Sequence, residues 1–352
     1  MKLKKSTHTT PLLAIAAAAS LALAGCSTSA AEKDASTQAL TSDGALTVYS
    51  GREEALVQPL IDMFAEQSGI DVSVRYGDSA ELGALVLEEG QNTPAQVFFS
   101  QDAGVLGALS DADLFTTLPA DITDLVPAGL TSTDDTWVGV TGRARVIAYD
   151  SEKLSAGEVP TSVDAFTEPE WKGRFAIAPS NASFQSFVTA YRVLNGEDAA
   201  DRWVQAIAAN DPQIFEKNSA IVQAVNDGVV EAGLVNHYYW YRAAAELGAG
   251  NMRAQISFPE QGDAGSIVNV TGAGVLRGAE NDEDAFEFVK FLLSNEAQQY
   301  FVDETFEYPL VAGVNAPAGL PELSTLVNEQ LDLADLSSLA ETQALLQKYG
   351  LI

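Results

Sequence analysis

Short runs rich in β-branched and aromatic residues alternate with longer stretches of helical spacing in the first half of the chain. "ALTVYSG", "DVSVRYG" and "AQVFFSQ" have the composition of strands. Between them, "EEALVQPLIDMFAEQSGI" spaces its large apolar residues on one helical face and ends at Gly69, and "AELGALVLEEG" predicts a second helix. The order β-α-β-α-β indicates a parallel sheet with crossover helices. Such sheets bind ligands in the loops that follow their strands, here residues 50–53 and 100–103.

A second α/β set follows. "WVGVTGRARVIAYD" predicts a long strand, and "RFAIAPS", "EAGLVN" and "SIVNVTGAGVL" predict further strands. "SFVTAYRVLNG" predicts a helix, as does "KNSAIVQAVNDG", where Ser219 is the candidate N-cap and Gly228 ends the helix. "DEDAFEFVKFLLSNEAQQYFV" predicts one strong amphipathic helix. We therefore expect two α/β lobes, with the chain crossing between them more than once and ligand loops facing a cleft.

The N-terminus has the pattern of an exported protein. A basic opening, "MKLKK", precedes "PLLAIAAAASLALAG", an apolar run too short to span a membrane comfortably. Cys26 stands directly after the small residues Ala24 and Gly25, which resembles the lipobox of bacterial lipoproteins. In such proteins this cysteine is acylated and becomes the mature N-terminus. An ordinary signal peptide is the alternative. We expect a lipoprotein signal peptide over 1–25 and a flexible tether over 26–44. A lipid anchor on Cys26 would then hold a soluble, extracytoplasmic protein at the cell membrane.

The amino-acid composition argues against several classes of catalytic and binding site. Cys26 is the only cysteine, so the mature fold has no thiol for a disulfide, a nucleophile or zinc. The formal charge of −30, which becomes about −33 once the leader lysines are removed, argues against binding to nucleic acid and favours attraction of cations. No GxSxG elbow, P-loop or dinucleotide fingerprint follows a strand. A carboxylate pair for glycoside hydrolysis stays open, but we expect a protein that is not an enzyme.

The segment "NHYYWYR" is the most unusual in the chain. Adjacent side chains diverge on a strand or a helix, so Tyr238 and Tyr239 converge on one ion only where the backbone bends. The passage from "GLVN" to "YRAAAELG" indicates such a bend, from strand to helix. A highly charged cation lowers the pKa of a bound phenol, and phenolate is a hard oxygen ligand suited to trivalent iron. The alternative is that the aromatic residues pack between lobes or stack on an organic ligand.

The chain from "LTVYSGREEALVQPLIDMFAEQSGI" to "EYPLVAGV" resembles the ferric-iron-binding proteins of bacterial ABC importers, and "NHYYWY" is the most specific segment. The resemblance implies a two-lobed, periplasmic-binding-protein-like α/β fold of class II with hinge strands. Lobe 1 would comprise 45–142 and 269–318, and lobe 2 would comprise 143–268 and 319–352. It also implies a monomer that captures Fe(III) with phosphate or carbonate as a co-ligand and delivers it to an ABC permease and its ATPase.

The resemblance assigns the metal ligands. Tyr238 and Tyr239 would supply two phenolates to Fe(III). Glu53 stands where many relatives have a histidine ligand, and Gln101, the weaker candidate, stands where they have a glutamate. Two phenolates and the Glu53 carboxylate would balance a 3+ ion. Alternatively, Glu53 lies with Arg52 at the rim of the cleft.

The family's anion pocket corresponds to small polar residues and two arginines, namely Ser180, Asn181, Ala182, Asn218, Asn236, Arg143 and Arg145. Helix capping is the alternative for Ser180 and Asn218, and a salt bridge that stabilises a lobe is the alternative for the arginines. His237 is interpreted as a surface residue or as a neighbour of the site that does not bind iron. Two rival functions remain. One is the same fold binding an organic solute (a phosphonate, thiamine or a polyamine), and the other is a sensor or structural lipoprotein.

Overall fold

A computed structural model describes residues 40–328 and 331–352, so the expected signal peptide, Cys26 and most of the expected tether lie outside the described residues. The strands within these ranges are β1 Ala45–Ser50, β2 Asp71–Tyr76, β3 Val97–Ser100, β4 Val138–Asp150, β5 Phe175–Ile177, β6 Gln213–Ile214, β7 Ala232–Asn236, β8 Ala254–Ser257, β9 Val268–Val275 and β10 Tyr308–Pro309. The α-helices are α1 Glu54–Ser68, α2 Ser79–Glu89, α3 Ala103–Asp111, α4 Ala120–Thr123, α5 Ala182–Asn195, α6 Glu197–Ala209, α7 Asn218–Asn226, α8 His237–Leu247, α9 Glu283–Leu292, α10 Asn295–Tyr300 and α11 Leu339–Lys348. A π-helical turn, Phe301–Thr305, follows α10. None of the described helices combines the length and the apolar character needed to cross a membrane.

The strands form a mixed sheet in the order β2-β1-β3-β9-β4-β7-β5-β6, with β8 and β10 also paired to β4. β1 runs parallel to β2 and β3, which confirms the β-α-β-α-β pattern of the first half. β5 runs parallel to β6 and β7 in the second half, whereas β9 is antiparallel to both β3 and β4. The architecture is therefore mixed α/β, as predicted.

β4 joins the two halves of the sheet. Its residues up to Ala144 pair with β9, and from Arg145 onward they pair with β7. All thirteen of its residues are buried, because helices or strands cover it along its whole length. Arg143 and Arg145 therefore stand on either side of the point where β4 changes its partner.

Helix ends follow the sequence in some places and not in others. α1 ends as predicted at Gly69, which adopts the left-handed conformation with φ 77°. The single amphipathic helix predicted over 282–302 is wrong, because Ser294 accepts a hydrogen bond from Ala297 N and starts a new helix after α9. The predicted cap at Ser219 is also wrong, because α7 begins one residue earlier and Lys217 takes the N-cap position.

Candidate functional site

Tyr238 and Tyr239 lie in the first turn of α8, which begins directly after β7. Their rings stack, with centroids 4.1 Å apart and planes inclined by 29°. Tyr238 is 1% exposed and Tyr239 is 8% exposed. The change from strand to helix thus occurs where the sequence predicts it, and it brings two adjacent phenol groups to one side of the chain.

Tyr239 contributes to a cleft of about 460 Å³. Its walls are the loops that follow β1, β2 and β3 on one side, and the segments that begin α5, α7 and α8 on the other. The lining residues are Gly51, Arg52, Glu53, Glu54, Tyr76, Gly77, Asp78, Gln101, Ser180, Asn181, Glu216, Lys217 and Tyr239. Parts of both loops predicted to bind a ligand, 50–53 and 100–103, therefore line one cleft together with Tyr239, whereas Tyr238 lies behind it and stacks on its ring.

Burial is the main influence on the pKa values of the two phenol groups. It raises the pKa of Tyr238, and the guanidinium groups of Arg143 and Arg52 partly oppose this effect. The pKa of Tyr239 is raised well above its usual value, first by burial and then by the neighbouring Tyr238 and the Glu53 carboxylate. Both phenols consequently keep their protons at neutral pH unless a cation displaces them.

The two further metal candidates occupy different environments. Glu53 is exposed at the N-cap position of α1, its side chain makes no capping hydrogen bond, and its charge acts on Tyr239. The backbone N–H of Gln101 donates to Ser79 Oγ over 2.9 Å, and its buried amide Nε2 has no hydrogen-bond partner among the described residues. That part of the chain also contains no group of three or more His, Cys, Asp or Glu side chains that could hold a metal ion. The ionisable oxygen groups of the cleft lining are thus the phenol of Tyr239 and the carboxyl groups of Glu53, Glu54, Asp78 and Glu216, and Tyr238 stacks on Tyr239.

The predicted anion loop lies at the start of α5. Asn181 caps this helix, accepting a hydrogen bond from Ser183 N over 3.1 Å, and Ala182 is its first residue. Asn218 is fully buried and donates to Asn181 Oδ1 and Ser183 Oγ, each over 3.1 Å. Ser180 is exposed at the cleft. The capping alternative is wrong for Ser180 and Asn218, because Asn181 is the cap of α5 and Asn218 lies inside α7.

Arg145 is buried beside the start of α5 and the end of β7. Nη1 donates to Ser183 O over 3.3 Å and lies 3.5 Å from Asn236 Oδ1, and Nη2 donates to Leu234 O over 3.1 Å. The guanidinium also packs over the ring of Phe187, 4.9 Å from its centroid. Burial lowers the pKa of Arg145 to about 9, and Tyr239 opposes this shift. Most of its hydrogen-bond donors therefore contact the start of α5 and the segment where β7 passes into α8.

Arg143 keeps more free donors than Arg145, in which only Nε lacks a partner among the described residues. Nη2 donates to Val270 O over 3.2 Å, whereas buried Nε and Nη1 lack partners in the part of the chain that the structure describes. No carboxylate within those ranges lies at ion-pair distance from Arg143 or Arg145. The salt-bridge interpretation of the two arginines is therefore wrong, and Arg143 has more hydrogen-bond donors left for a ligand than Arg145 has.

His237 lies behind the tyrosine pair and not on the surface. It is fully buried; its Nδ1 accepts from Ala144 N over 3.1 Å, so its proton is on Nε2, which donates to Phe306 O over 2.8 Å. Burial lowers its pKa to about 4, which keeps the ring neutral. The surface interpretation is wrong, whereas a place beside the tyrosine pair, outside the cleft lining, agrees with the structure.

Sequence reasoning missed a buried ion pair between Arg52 and Glu307. Arg52 Nη2 lies 2.6 Å from Glu307 Oε1, and both side chains are buried. Both Arg52 and Glu53 contribute to the cleft lining, but the Arg52 side chain is buried, whereas Glu53 is exposed. The two residues are 255 positions apart, so no local pattern could have revealed their contact.

Known proteins resemble the chain over most of its length. The profile of a family described as "Bacterial extracellular solute-binding protein" matches residues 92–327. The major ferric iron-binding protein of Neisseria meningitidis serogroup B is 34% identical over 308 residues, which cover 87% of this chain and 93% of the relative. The Fe(3+)-binding periplasmic protein of Serratia marcescens is 32% identical over 302 residues, which cover 86% and 89%. The crystal structure of iron-bound HitA from Pseudomonas aeruginosa superposes with a TM-score of 0.82 at 31% identity, over 87% of this chain and 99% of that chain.

Proposed function

The chain belongs to the family of bacterial extracellular solute-binding proteins, in which its curated relatives include ferric iron-binding proteins, and from this premise we propose that it captures Fe(III) in the cleft beside Tyr239. Proteins of this family work with ABC importers, so the captured ion would pass to a permease and its ATPase. Capture and release would involve lobe closure and opening without covalent chemistry. The rival organic cargo is not favoured, because the compared relatives at 30% identity or more are named for iron binding or iron uptake.

The stacked pair of Tyr238 and Tyr239 carries the proposal. Two phenols held side by side at a helix start can lose their protons to a strongly charged cation and bind it together. The Glu53 carboxylate, whose charge already acts on Tyr239, would complete a charge of −3 opposite Fe(III). Gln101 would contribute at most its amide oxygen.

A small anion would complete the coordination sphere. We assign it to the start of α5, with Ser180, Asn181 and Ala182, and to Asn218 and Asn236 nearby. The N-terminus of a long helix presents N–H groups and a favourable field to an anion. Arg143 is the better arginine for this role, because Nε and Nη1 remain without partners among the described residues, whereas Arg145 is mostly occupied by protein carbonyls. Phosphate or carbonate has a suitable size and charge.

The remaining proposals concern the place of the protein in the cell. Acylated Cys26 would anchor a monomer to the outer side of the cell membrane through the segment 26–44. The lobes would divide at 142/143 and 268/269, which is supported by the change of partner along β4. A Cys26→Ala variant should leave the membrane fraction and appear in the medium. Retention of that variant in the membrane would contradict lipid anchoring.

Mixing the iron-free protein with ferric citrate tests the main proposal. The wild type should develop a visible phenolate-to-iron charge-transfer band, and the double variant Tyr238→Phe, Tyr239→Phe should lose it. Tyr241→Phe is the matched control, because Tyr241 lies in the same helix but outside the cleft lining. A band that survives in the double variant would show that these tyrosines are not the ligands.

A further inference from the structure

The ion pair of Arg52 and Glu307 lies close to the junction where β4 changes its partner from β9 to β7. Besides its bond to Glu307, Arg52 donates from Nη1 to Thr271 Oγ1 over 3.0 Å. The second carboxylate oxygen of Glu307 accepts from Thr141 Oγ1. Thr141 and Thr271 are paired neighbours on β4 and β9. One guanidinium and one carboxylate thus span the two strands at the junction.

The same ion pair connects both sets of candidate iron ligands. Arg52 directly precedes Glu53 in the loop after β1. Glu307 directly follows Phe306, whose carbonyl accepts the hydrogen bond from His237 Nε2, and His237 is the residue before the tyrosine pair. The guanidinium is also close enough to both phenol groups to interact with their charge. A continuous set of contacts therefore runs from the Glu53 loop to the start of α8.

Stability alone does not account for such a pair. Removing two charges from water is costly, and apolar residues of similar volume often support a fold equally well. A guanidinium held by two fixed acceptors does, however, fix the distance and the orientation between the segments that it joins more strictly than apolar packing does. The arrangement is suited to holding neighbouring groups at a defined spacing.

We propose that Arg52 is a positioning residue that, through Glu307 and Thr271, sets the spacing between the Glu53 loop and the tyrosine pair, and so fits the cleft to a small trivalent cation. This inference rests on the proposed function, because it concerns the same site. Arg52 itself does not bind the ion. Its substitution should therefore alter the geometry of iron binding while the iron-free protein stays folded.

The test compares two variants. Arg52→Met with Glu307→Leu removes both charges at similar volume, so that neither partner stays buried alone. Arg52→Lys keeps the charge, but its single ammonium cannot hold Glu307 and Thr271 in the same geometry. Groups that orient metal ligands typically change metal affinity about 10- to 100-fold. We expect about tenfold weaker Fe(III) binding for the lysine variant, up to about 100-fold for the double variant, and a shifted charge-transfer band in both.

A matched control and the wild type separate the possible outcomes. Arg174 and Glu231 form another ion pair with a 2.6 Å separation, away from the cleft lining. Arg174→Met with Glu231→Leu should leave the band and the affinity, measured by chelator competition, at wild-type values. If the wild type shows no band, the proposed function fails and this inference fails with it. If the wild type binds iron and folded Arg52→Lys matches it in band and affinity, the inference alone is overturned, whether or not the double variant folds.

Discussion

Ser186 donates a hydrogen bond to Asp102 over 3.1 Å, between helices on opposite sides of the cleft. Ser186 belongs to α5, and Asp102 caps α3, where its Oδ1 also accepts from Gly104 N. Both side chains are buried, and burial raises the pKa of the Asp102 carboxyl, while Arg143 opposes this effect. The contact joins the loop after β3 directly to the helix that begins at the proposed anion site.

Ser186→Ala should therefore favour the open form. The substitution removes this hydrogen bond and leaves the cap of α3 in place. A single hydrogen bond contributes about 1 kcal/mol net, so iron release into excess chelator should become about fivefold faster. Ser155→Ala is the control, because Ser155 donates to Glu158 on the surface. Equal release rates for the wild type and Ser186→Ala would show that this contact does not hold the cleft closed.

Affinity for Fe(III) should rise with pH. Burial raises the pKa of Tyr238 and, more strongly, that of Tyr239, so both phenols are protonated around neutral pH. Binding as phenolates releases two protons, which predicts up to about a hundredfold gain in affinity per pH unit. Chelator competition between about pH 6 and 8, corrected for protonation of the chelator, measures this slope. Tyr239→Phe should reduce the slope to about one proton, and a flat profile in the wild type would exclude phenolate binding.

His237 should make the iron-free protein less stable as the pH falls. Its pKa is lowered to about 4 in the fold, whereas an unfolded histidine titrates near pH ~6.5. As the pH drops through that window the unfolded chain takes up a proton first, so the free energy of unfolding decreases, by roughly 2 kcal/mol at about pH 5. Urea unfolding at neutral and acidic pH measures the effect. His237→Gln retains a donor for Phe306 O but cannot titrate, so its pH dependence should be flatter by that amount; parallel profiles would contradict the prediction.

Strands, bends and helix ends that have a local sequence signal could be predicted from the sequence. The long apolar run of β4, the strand-to-helix bend before Tyr238 and the glycine that ends α1 are local features, and the structure contains each of them. The spacing of strands and helices in the first half also sufficed to indicate which loops line the cleft, because parallel strands bring their carboxyl ends to one edge.

Contacts between distant segments could not be predicted in this way. Two arginines on one strand face suggested carboxylate partners, yet Arg145 donates from Nη1 and Nη2 to backbone carbonyls of α5 and β7. The interpretation of His237 as a surface residue is wrong in the same way, because its ring nitrogens bond to Ala144 of β4 and to Phe306, which are distant in sequence. In each case tertiary packing determines the hydrogen-bond partner of the side chain, and a local sequence pattern does not indicate a partner that is distant in the chain.

Two serines near helix starts differ in whether they cap the helix, and they should therefore differ in their effect on stability. Ser294 caps α10, accepting from Ala297 N over 3.1 Å, whereas Ser219 is exposed inside the first turn of α7 and caps nothing. Ser294→Ala should lower the free energy of unfolding by about 1 kcal/mol, because the helix start loses its acceptor. Ser219→Ala should leave it unchanged or raise it by a few tenths of a kcal/mol, since alanine favours the helix interior. Urea unfolding of both variants measures the difference, and iron affinity should stay at the wild-type value because neither serine lines the cleft. Equal losses in the two variants would mean that the break after α9 does not depend on the Ser294 cap.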